Sequence, residues 1–259
     1  MSRDSSGRVV ILIPALNEER SIRQVVEAAL RVLPDVIVVD DGSSDGTRHC
    51  LAGLPVVLIH HPEPRGKGES LRDGFREARR LGFDAVVTMD GDGQHDAEDI
   101  PRMLAAARAY PRCMVIGARI RTRENQPAAR RRANAVADWG ISWGCGTPIA
   151  DTQSGQRYYP REVLDRVELA AQGFVFEAAI LIAAVRDLGL GVVSIPIEAR
   201  YNGEFRLSHF RPVRDVTLIT LYTMGRVLRY GDVLASYRRS RERAPTIFEA
   251  GLPDPSATT

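Results

Sequence analysis

Two carboxylates separated by one glycine, Asp90 and Asp92, stand in the stretch TMDGDGQHDAED at 88–99, and Gln94 follows two residues later. Close like charges repel unless a cation neutralises them. Hard oxygen donors suit Mg²⁺ or Mn²⁺, which take one or two protein carboxylates together with substrate phosphates and water. The intervening Gly91 lets the chain turn so that both acids face one opening. A water-solvated acidic turn is the competing reading of the same residues. The surroundings favour an anionic ligand. Of 35 basic residues all but one are arginine, so 34 are Arg, and the single lysine, Lys67, lies between Gly66 and Gly68 at a helix start. A compact ammonium beside exposed backbone N–H groups is a phosphate-binding arrangement. The segment GARIRTRENQPAARRR adds Arg119, Arg121, Arg123, Arg130, Arg131 and Arg132, and guanidinium forks match phosphate oxygens in bidentate fashion. Part of that run also reads as a solvated basic helix face. Neither the P-loop pattern nor GxGxxG is present, since Leu71 stands where the last glycine would be.

The elements that must position these groups alternate. Strands read at 8–15, 35–41, 56–61 and 85–90, separated by helices at 18–33, 44–52 and 68–82. Continuous Val/Ile runs between amphipathic helices indicate a parallel sheet covered on both faces. In such sheets ligands bind outside the carboxyl ends of the strands. PALNEE, DDGSSDGT, PRGKGES and DGDGQH all fall there. In VVDDGSSDGT, Asp40 or Asp41 is suited to a base or ribose, while Ser43, Ser44 or Asp45 caps the next helix. Arg119 ends the next strand, 113–119, and is expected to face the same cleft. Further on come a long helix near 130–144, a loop over TPIADTQSGQRYY, helices near 160–168 and at 174–189, a strand at 191–201 and a final amphipathic helix at 213–234.

The chain has 259 residues, 44% of them apolar, and a net charge of +2. That length suits one large α/β unit or two small ones, and the charge balance argues against a protein that coats nucleic acid. Cys50, Cys113 and Cys145 form no CxxC pair and are odd in number, the pattern of a reducing compartment without a zinc site or disulfide framework. The opening MSRDSSGR reads as a short polar lead rather than a signal peptide, and no uncharged run reaches the ~20 residues of a membrane span. The expectation is a cytoplasmic protein, soluble or peripheral on the cytoplasmic face of the membrane. The 213–234 segment suits either core packing or an interfacial helix. The organisation expected is a lead at 1–7, halves at 8–115 and 116–235 of one compact domain, and a flexible tail at 236–259.

In order and spacing, VILIPALNEE, VIVVDDGSSDGT, RGKGESLRDGF, MDGDGQHDAEDIPRM and GAR resemble an inverting family 2 glycosyltransferase. DTQSGQR, GFVFEAAIL and SIPIEARYNGEFRLSHFRPVRD narrow the resemblance to the dolichol-phosphate mannose synthase and polyprenyl-phosphate glycosyltransferase branch, over roughly 8–232. The resemblance implies a GT-A fold, a nucleotide-sugar donor and Mg²⁺ or Mn²⁺. It places Pro14, Leu16, Glu18, Asp40 and Asp41 at the nucleoside, with Asn17 bracing the first turn. Lys67 and Gly91 join the substrate pocket. Asp92 and Gln94 are implied metal ligands, with Asp90 at the ribose or metal. Asp92, Arg119 and Arg131 are the implied catalytic groups, and Arg119, Arg131, Arg200 and Arg206 the phosphate-binding cations. Gln153 and Arg157 lie in the loop near the acceptor, with Glu177 in the helix after it. Leu16 stands where relatives commonly have an aromatic, and the membrane helices that follow the catalytic domain in many relatives are missing.

The reaction implied is transfer of a hexose from a GDP- or UDP-sugar to a polyprenyl phosphate, guided by Arg131, Arg200, Arg206, His209 and Arg211. A soluble acceptor would instead need a carboxylate base, Asp151 or Glu177. A non-catalytic nucleotide-binding module is the remaining alternative. Peripheral membrane contact or a separate membrane-anchor protein completes the expected partners; nucleic acid is not one.

Overall fold

Strand β1 (Val9–Ala15) is an interior strand of the sheet, and its alternating side chains explain the architecture. Val10 and Leu12 join one apolar cluster, whereas Ile11 and Ile13 join another on the opposite sheet face. The computed structural model describes residues 7–120, 128–166, 173, 175–198 and 212–249. Strands β2 (Val36–Asp40), β3 (Val57–His60) and β4 (Ala85–Thr88) pair parallel with it in the order β3-β2-β1-β4. Strand β2 is buried along its whole length, as a doubly covered parallel strand requires. Strand β3, at the edge, exposes Val57 and Leu58.

Helix α1 (Ile22–Val32) covers one face with Ile22, Val25, Val26 and Ala29, and α2 (Thr47–Cys50) is a single turn after β2. Helix α3 (Lys67–Arg80) covers the other with Leu71, Phe75 and Ala78. A 3-10 turn at Ala97–Asp99 leads into α4 (Ile100–Ala109) on the α1 side. Strand β5 (Cys113–Ala118) follows, then α5 (Ala128–Cys145), and all three cysteines are free.

The expected loop before 160 holds a strand, β6 (Arg157–Pro160), that runs antiparallel between β4 and β5. After α6 (Arg161–Leu164), α7 (Val175–Arg186) is buried on nearly all sides, and β7 (Gly191–Pro196) pairs parallel with β5. Among the described residues the sheet is therefore seven-stranded, β3-β2-β1-β4-β6-β5-β7, and parallel except at β6. The fold is the expected α/β unit with a mostly parallel sheet.

The C-terminal part differs from expectation in two places. The single helix expected at 213–234 is α8 (Pro212–Tyr230) and α9 (Val233–Glu242), broken at Gly231, whose φ of 73° ends α8 in the left-handed conformation. Asp232, at the break, receives Arg186 at 2.6 Å and also pairs with Arg239. The expected flexible tail from 236 is ordered as far as Glu249. Beyond α9 the chain bridges β7: Ser194 donates to the Thr246 carbonyl at 2.9 Å, and Phe248 donates back to Ser194 at 2.8 Å. An unpaired edge strand is a liability. The tail covers it, and Phe248 packs edge-on against Tyr110.

Candidate active site

The β4 terminus carries the acids. Asp90 follows directly on buried Thr88 and Met89, and the turn after it brings Gly91 against the end of β1. There Ser21 Oγ donates to the Gly91 carbonyl at 2.8 Å, and a Cβ at Gly91 would lie 3.4 Å from the Pro14 carbonyl. Pro14, Leu16, Asn17 and Glu18, at and just beyond the β1 terminus beside this turn, are partly exposed. Asn17 takes a positive φ of 57°, and its carboxamide oxygen accepts the Ser44 N–H at 2.8 Å. Glu18 N–H donates to Thr47 Oγ1 at 2.7 Å. These bonds stitch the β1 and β2 termini together.

Asp90 meets Lys67, whose Nζ lies 2.7 Å from Asp90 Oδ1 and 3.5 Å from Glu177 Oε2, in the first turn of α7. Burial alone would raise the Asp90 pKa, but the Lys67 ammonium, with His95 and Arg119, holds the carboxyl well below its ordinary range. The converse applies to Lys67: burial opposes its charge, and Asp90 and Glu177 outweigh it, so the ammonium stays charged above its usual range. Asp92 goes the other way. Burial and then the negative charge of Asp90 push its carboxyl up. Gln94 is turned onto it, with N–H to Oδ1 at 3.0 Å and Nε2 to Oδ2 at 2.8 Å. His95 Nδ1 accepts the Asp90 N–H at 3.0 Å, which places the ring proton on Nε2. Burial lowers its pKa. Asp96 caps the following 3-10 turn through the Glu98 N–H.

The donor chemistry bears on the implied divalent ion. Among the described residues no group of three or more His, Cys, Asp and Glu side chains forms a closed cage. Two acids within Coulombic reach and an amide oxygen fit a Mg²⁺- or Mn²⁺-type ion that draws its remaining ligands from phosphate and water.

Several expected ligand contacts have other duties. Asp40 is fully buried, with Oδ1 accepting the Ser43 N–H at 3.0 Å and Oδ2 3.0 Å from His60 Nδ1. Asp41 holds the loop before Lys67: it accepts the N–H groups of Arg65 at 2.9 Å and Gly66 at 2.7 Å, and lies 2.6 Å from His61 Nδ1. Both were expected at the nucleoside; their internal bonds shape the β2 and β3 termini. Arg119 was expected to face the cleft from the neighbouring strand. Strand β6 intervenes, and the Arg119 guanidinium is gripped in bidentate fashion by Asp151 at 2.7 Å through both Nε and Nη2. Its charge still reaches Asp90.

Arg157, expected near the acceptor, is buried and spends its donors on the carbonyls of Ser154 (2.7 Å), Thr152 (2.6 Å) and Glu177 (3.0 Å). It staples the 151–156 loop to α7. Gln153 is partly exposed on that loop, and its Nε2 donates to Thr152 Oγ1 at 3.2 Å. Arg131 is exposed on α5. Arg121, Arg123, Arg200, Arg206, His209 and Arg211 lie outside the described residues.

Two contributors carry no sequence signal. Gly155 packs against Asp90 so closely that a Cβ there would sit 2.6 Å from Oδ2. Buried His61 is held between Asp41 and Asp73, 3.1 Å from Asp73 Oδ2. Each acts through partners distant in sequence, which local pattern does not reveal.

Comparison with known proteins gives the family of this α/β chain. Residues 10–168 match the family model described as glycosyl transferase family 2. The chain belongs to that family and is a glycosyltransferase. It is 31% identical over 204 residues to a polyprenol monophosphomannose synthase of Mycolicibacterium smegmatis, covering 73% of this chain and 76% of that one. It is likewise 31% identical over 216 residues to an undecaprenyl-phosphate mannosyltransferase of Micrococcus luteus, covering 78% and 88%. Among solved structures, the glucosyl-3-phosphoglycerate synthase of Mycobacterium tuberculosis in complex with Mn²⁺, UDP and glucosyl-3-phosphoglycerate superposes with a TM-score of 0.61. The identity is 21%, over 87% of this chain and 80% of that one. The fold is GT-A.

Proposed function

We propose that the protein transfers a hexosyl group from a GDP- or UDP-sugar to a polyprenyl phosphate, with inversion at the anomeric carbon. The carrying observation is the pairing of Asp90 with the lone lysine beside a second, partly exposed carboxylate at the β4 terminus. Such a site takes a metal-bound diphosphate. The two relatives named for polyprenol- and undecaprenyl-phosphate substrates supply the acceptor class.

In the reaction an acceptor phosphate oxygen forms the new bond to the anomeric carbon as the bond to the donor's β-phosphate breaks, and the nucleoside diphosphate leaves. The acceptor oxygen is already anionic near neutral pH, so no general base has to take its proton. Asp90, Asp92 and Gln94 would hold the divalent ion, which supplies charge stabilisation for the departing diphosphate. Lys67 adds positive charge there. Pro14, Leu16 and Glu18 border the nucleoside side of the opening. Arg119, positioned by Asp151, adds long-range positive potential, and Arg131, Arg200 and Arg206 draw the acceptor phosphate in. Residues 8–115 serve the donor and 116–235 the acceptor.

The acceptor also sets the location. No described helix is long and apolar enough to cross a membrane. Yet α8 exposes Leu218, Leu221, Met224 and Leu228 along one face while Ile219, Thr223 and Val227 face inward. The packed helices α5 and α9 expose Val136, Trp139, Leu234 and Tyr237. Exposed Arg229, Arg238 and Arg241 lie on the same helices. We infer that this surface rests on an anionic bilayer from the cytoplasmic side.

Purified protein incubated with labelled GDP- and UDP-hexoses, Mg²⁺ or Mn²⁺ and a short-chain polyprenyl phosphate is expected to yield one labelled lipid, abolished in Asp92→Ala. Label passing only to soluble acceptors added to the same mixture would overturn the lipid reading.

A further inference from the structure

The ammonium of Lys67 stands where a divalent cation would have to bind Asp90. Its Nζ lies 2.7 Å from Asp90 Oδ1, and the next nearest anion is Glu177 Oε2 at 3.5 Å. The ends of this triad are anchored. Gly66, at φ 93°, is fixed through the Asp41 carboxylate, so the backbone that carries Lys67 is held. Glu177 is fixed from the other side, because Arg157 donates to its carbonyl at 3.0 Å. The four-carbon lysine stem is the movable part. A divalent ion bound between Asp90 and Asp92 would repel an ammonium left on the same carboxylate.

We propose that Lys67 is a place-holding cation that neutralises Asp90 before the divalent ion binds and moves onto Glu177 when it arrives. The inference rests on the metal reading above and deepens it. Glu177 becomes a positioning residue, accepting the displaced ammonium and presenting it to the incoming diphosphate. The single lysine then has a physical reason. A guanidinium in the same place would fork onto the carboxylate in bidentate fashion and hold it more tightly, whereas a point charge on a flexible stem exchanges.

The test is a double-mutant cycle on Mn²⁺ affinity, read by electron paramagnetic resonance of the free ion, for wild type, Lys67→Met, Glu177→Gln and the double variant. Lys67→Met should bind Mn²⁺ about tenfold more tightly, because the competing cation is gone. Glu177→Gln should weaken binding roughly fivefold in the wild-type background but change it less than about twofold in the Lys67→Met background, since Glu177 then has no ammonium to receive. Equal weakening in both backgrounds would reduce Glu177 to a simple field effect and overturn the exchange. So would a Lys67→Met variant that binds no tighter. Wild-type protein that binds no Mn²⁺ would overturn the metal assignment and the exchange with it, whereas bound Mn²⁺ with additive effects overturns the exchange alone. Lys67→Gln replaces Lys67→Met if the latter loses the wild-type far-ultraviolet spectrum.

Discussion

Asp99 shows how one buried acid leaves a measurable signature. Burial pushes its carboxyl up to about 6; Arg102, 2.9 Å away, opposes that, and Asp96 and Glu198 add to it. The native state therefore holds this proton more tightly than the unfolded chain does. Wild-type stability should fall as pH rises from the ordinary carboxyl range through about 6, a loss on the order of 3 kcal/mol. Asp99→Asn removes that slope, so its advantage over wild type in urea unfolding should grow between pH 4 and 7; parallel curves would refute the assignment. Gly155 offers a second test. Its Cβ would sit 2.6 Å from Asp90 Oδ2, so Gly155→Ala should push Asp90 off Lys67. The expected result is at least a ~tenfold loss of kcat/KM with a melting temperature close to wild type. The acids at 90 and 92, the lone lysine and the glycines around it were legible in the sequence because each is a local pattern. The roles of Asp41, Arg119 and Gly155 were not, because their partners lie 20 to 65 residues away.

At the level of elements, legibility followed the periodicity. Strands β1 and β2 read as unbroken apolar runs because both their faces are buried, and helices α1 and α3 showed one apolar side. Strand β6 escaped because it is four residues long, begins with arginine and ends with proline. What makes it a strand is its place between β4 and β5 and the staple beneath it. Arg157 satisfies three carbonyls at once, and Thr88 Oγ1 donates to the Gly155 carbonyl at 2.7 Å. Arg157→Met would keep most of the volume and leave the Ser154 and Thr152 carbonyls without this donor, while the Glu177 carbonyl keeps its place in the α7 ladder. At ~1–3 kcal/mol for each unsatisfied group, the loss should be at least about 2 kcal/mol, lowering the melting temperature by roughly 5 °C or more. Thermal unfolding by circular dichroism checks this. A shift of only a degree or two would show that water or Tyr159 replaces the guanidinium, and that the loop needs no staple.

Over the whole molecule, the β7 edge of the sheet and the helical layer are finished in different ways. At β7 the chain returns through 246–248 to cover the edge, and Phe248 seals it. Among the described residues, nothing covers the outer side of the helical layer of α5, α8 and α9. Helix α8, within the 213–234 pattern, has an inward and an outward apolar side: Ile219 and Val227 pack inward while Leu221 and Leu228 are 64% and 61% exposed. Trp139 stacks 5.7 Å from Trp143 and 6.5 Å from Tyr237, so aromatic rings and leucines occupy one layer with arginines beside them. An isolated exposed leucine needs no explanation, but such a cluster does. If the layer meets lipid, each leucine that enters the acyl boundary contributes roughly 1.5–3 kcal/mol, and arginine attraction adds dependence on anionic headgroups and on salt. Wild-type protein should float with vesicles containing phosphatidylglycerol, less with pure phosphatidylcholine, and less again in high salt. Leu221→Glu combined with Leu228→Glu should abolish most of the flotation. Because both side chains point away from the core, the double variant should keep its melting temperature and its turnover of a short-chain, water-dispersed acceptor. Undiminished flotation of that variant would move the membrane contact to another surface of the protein.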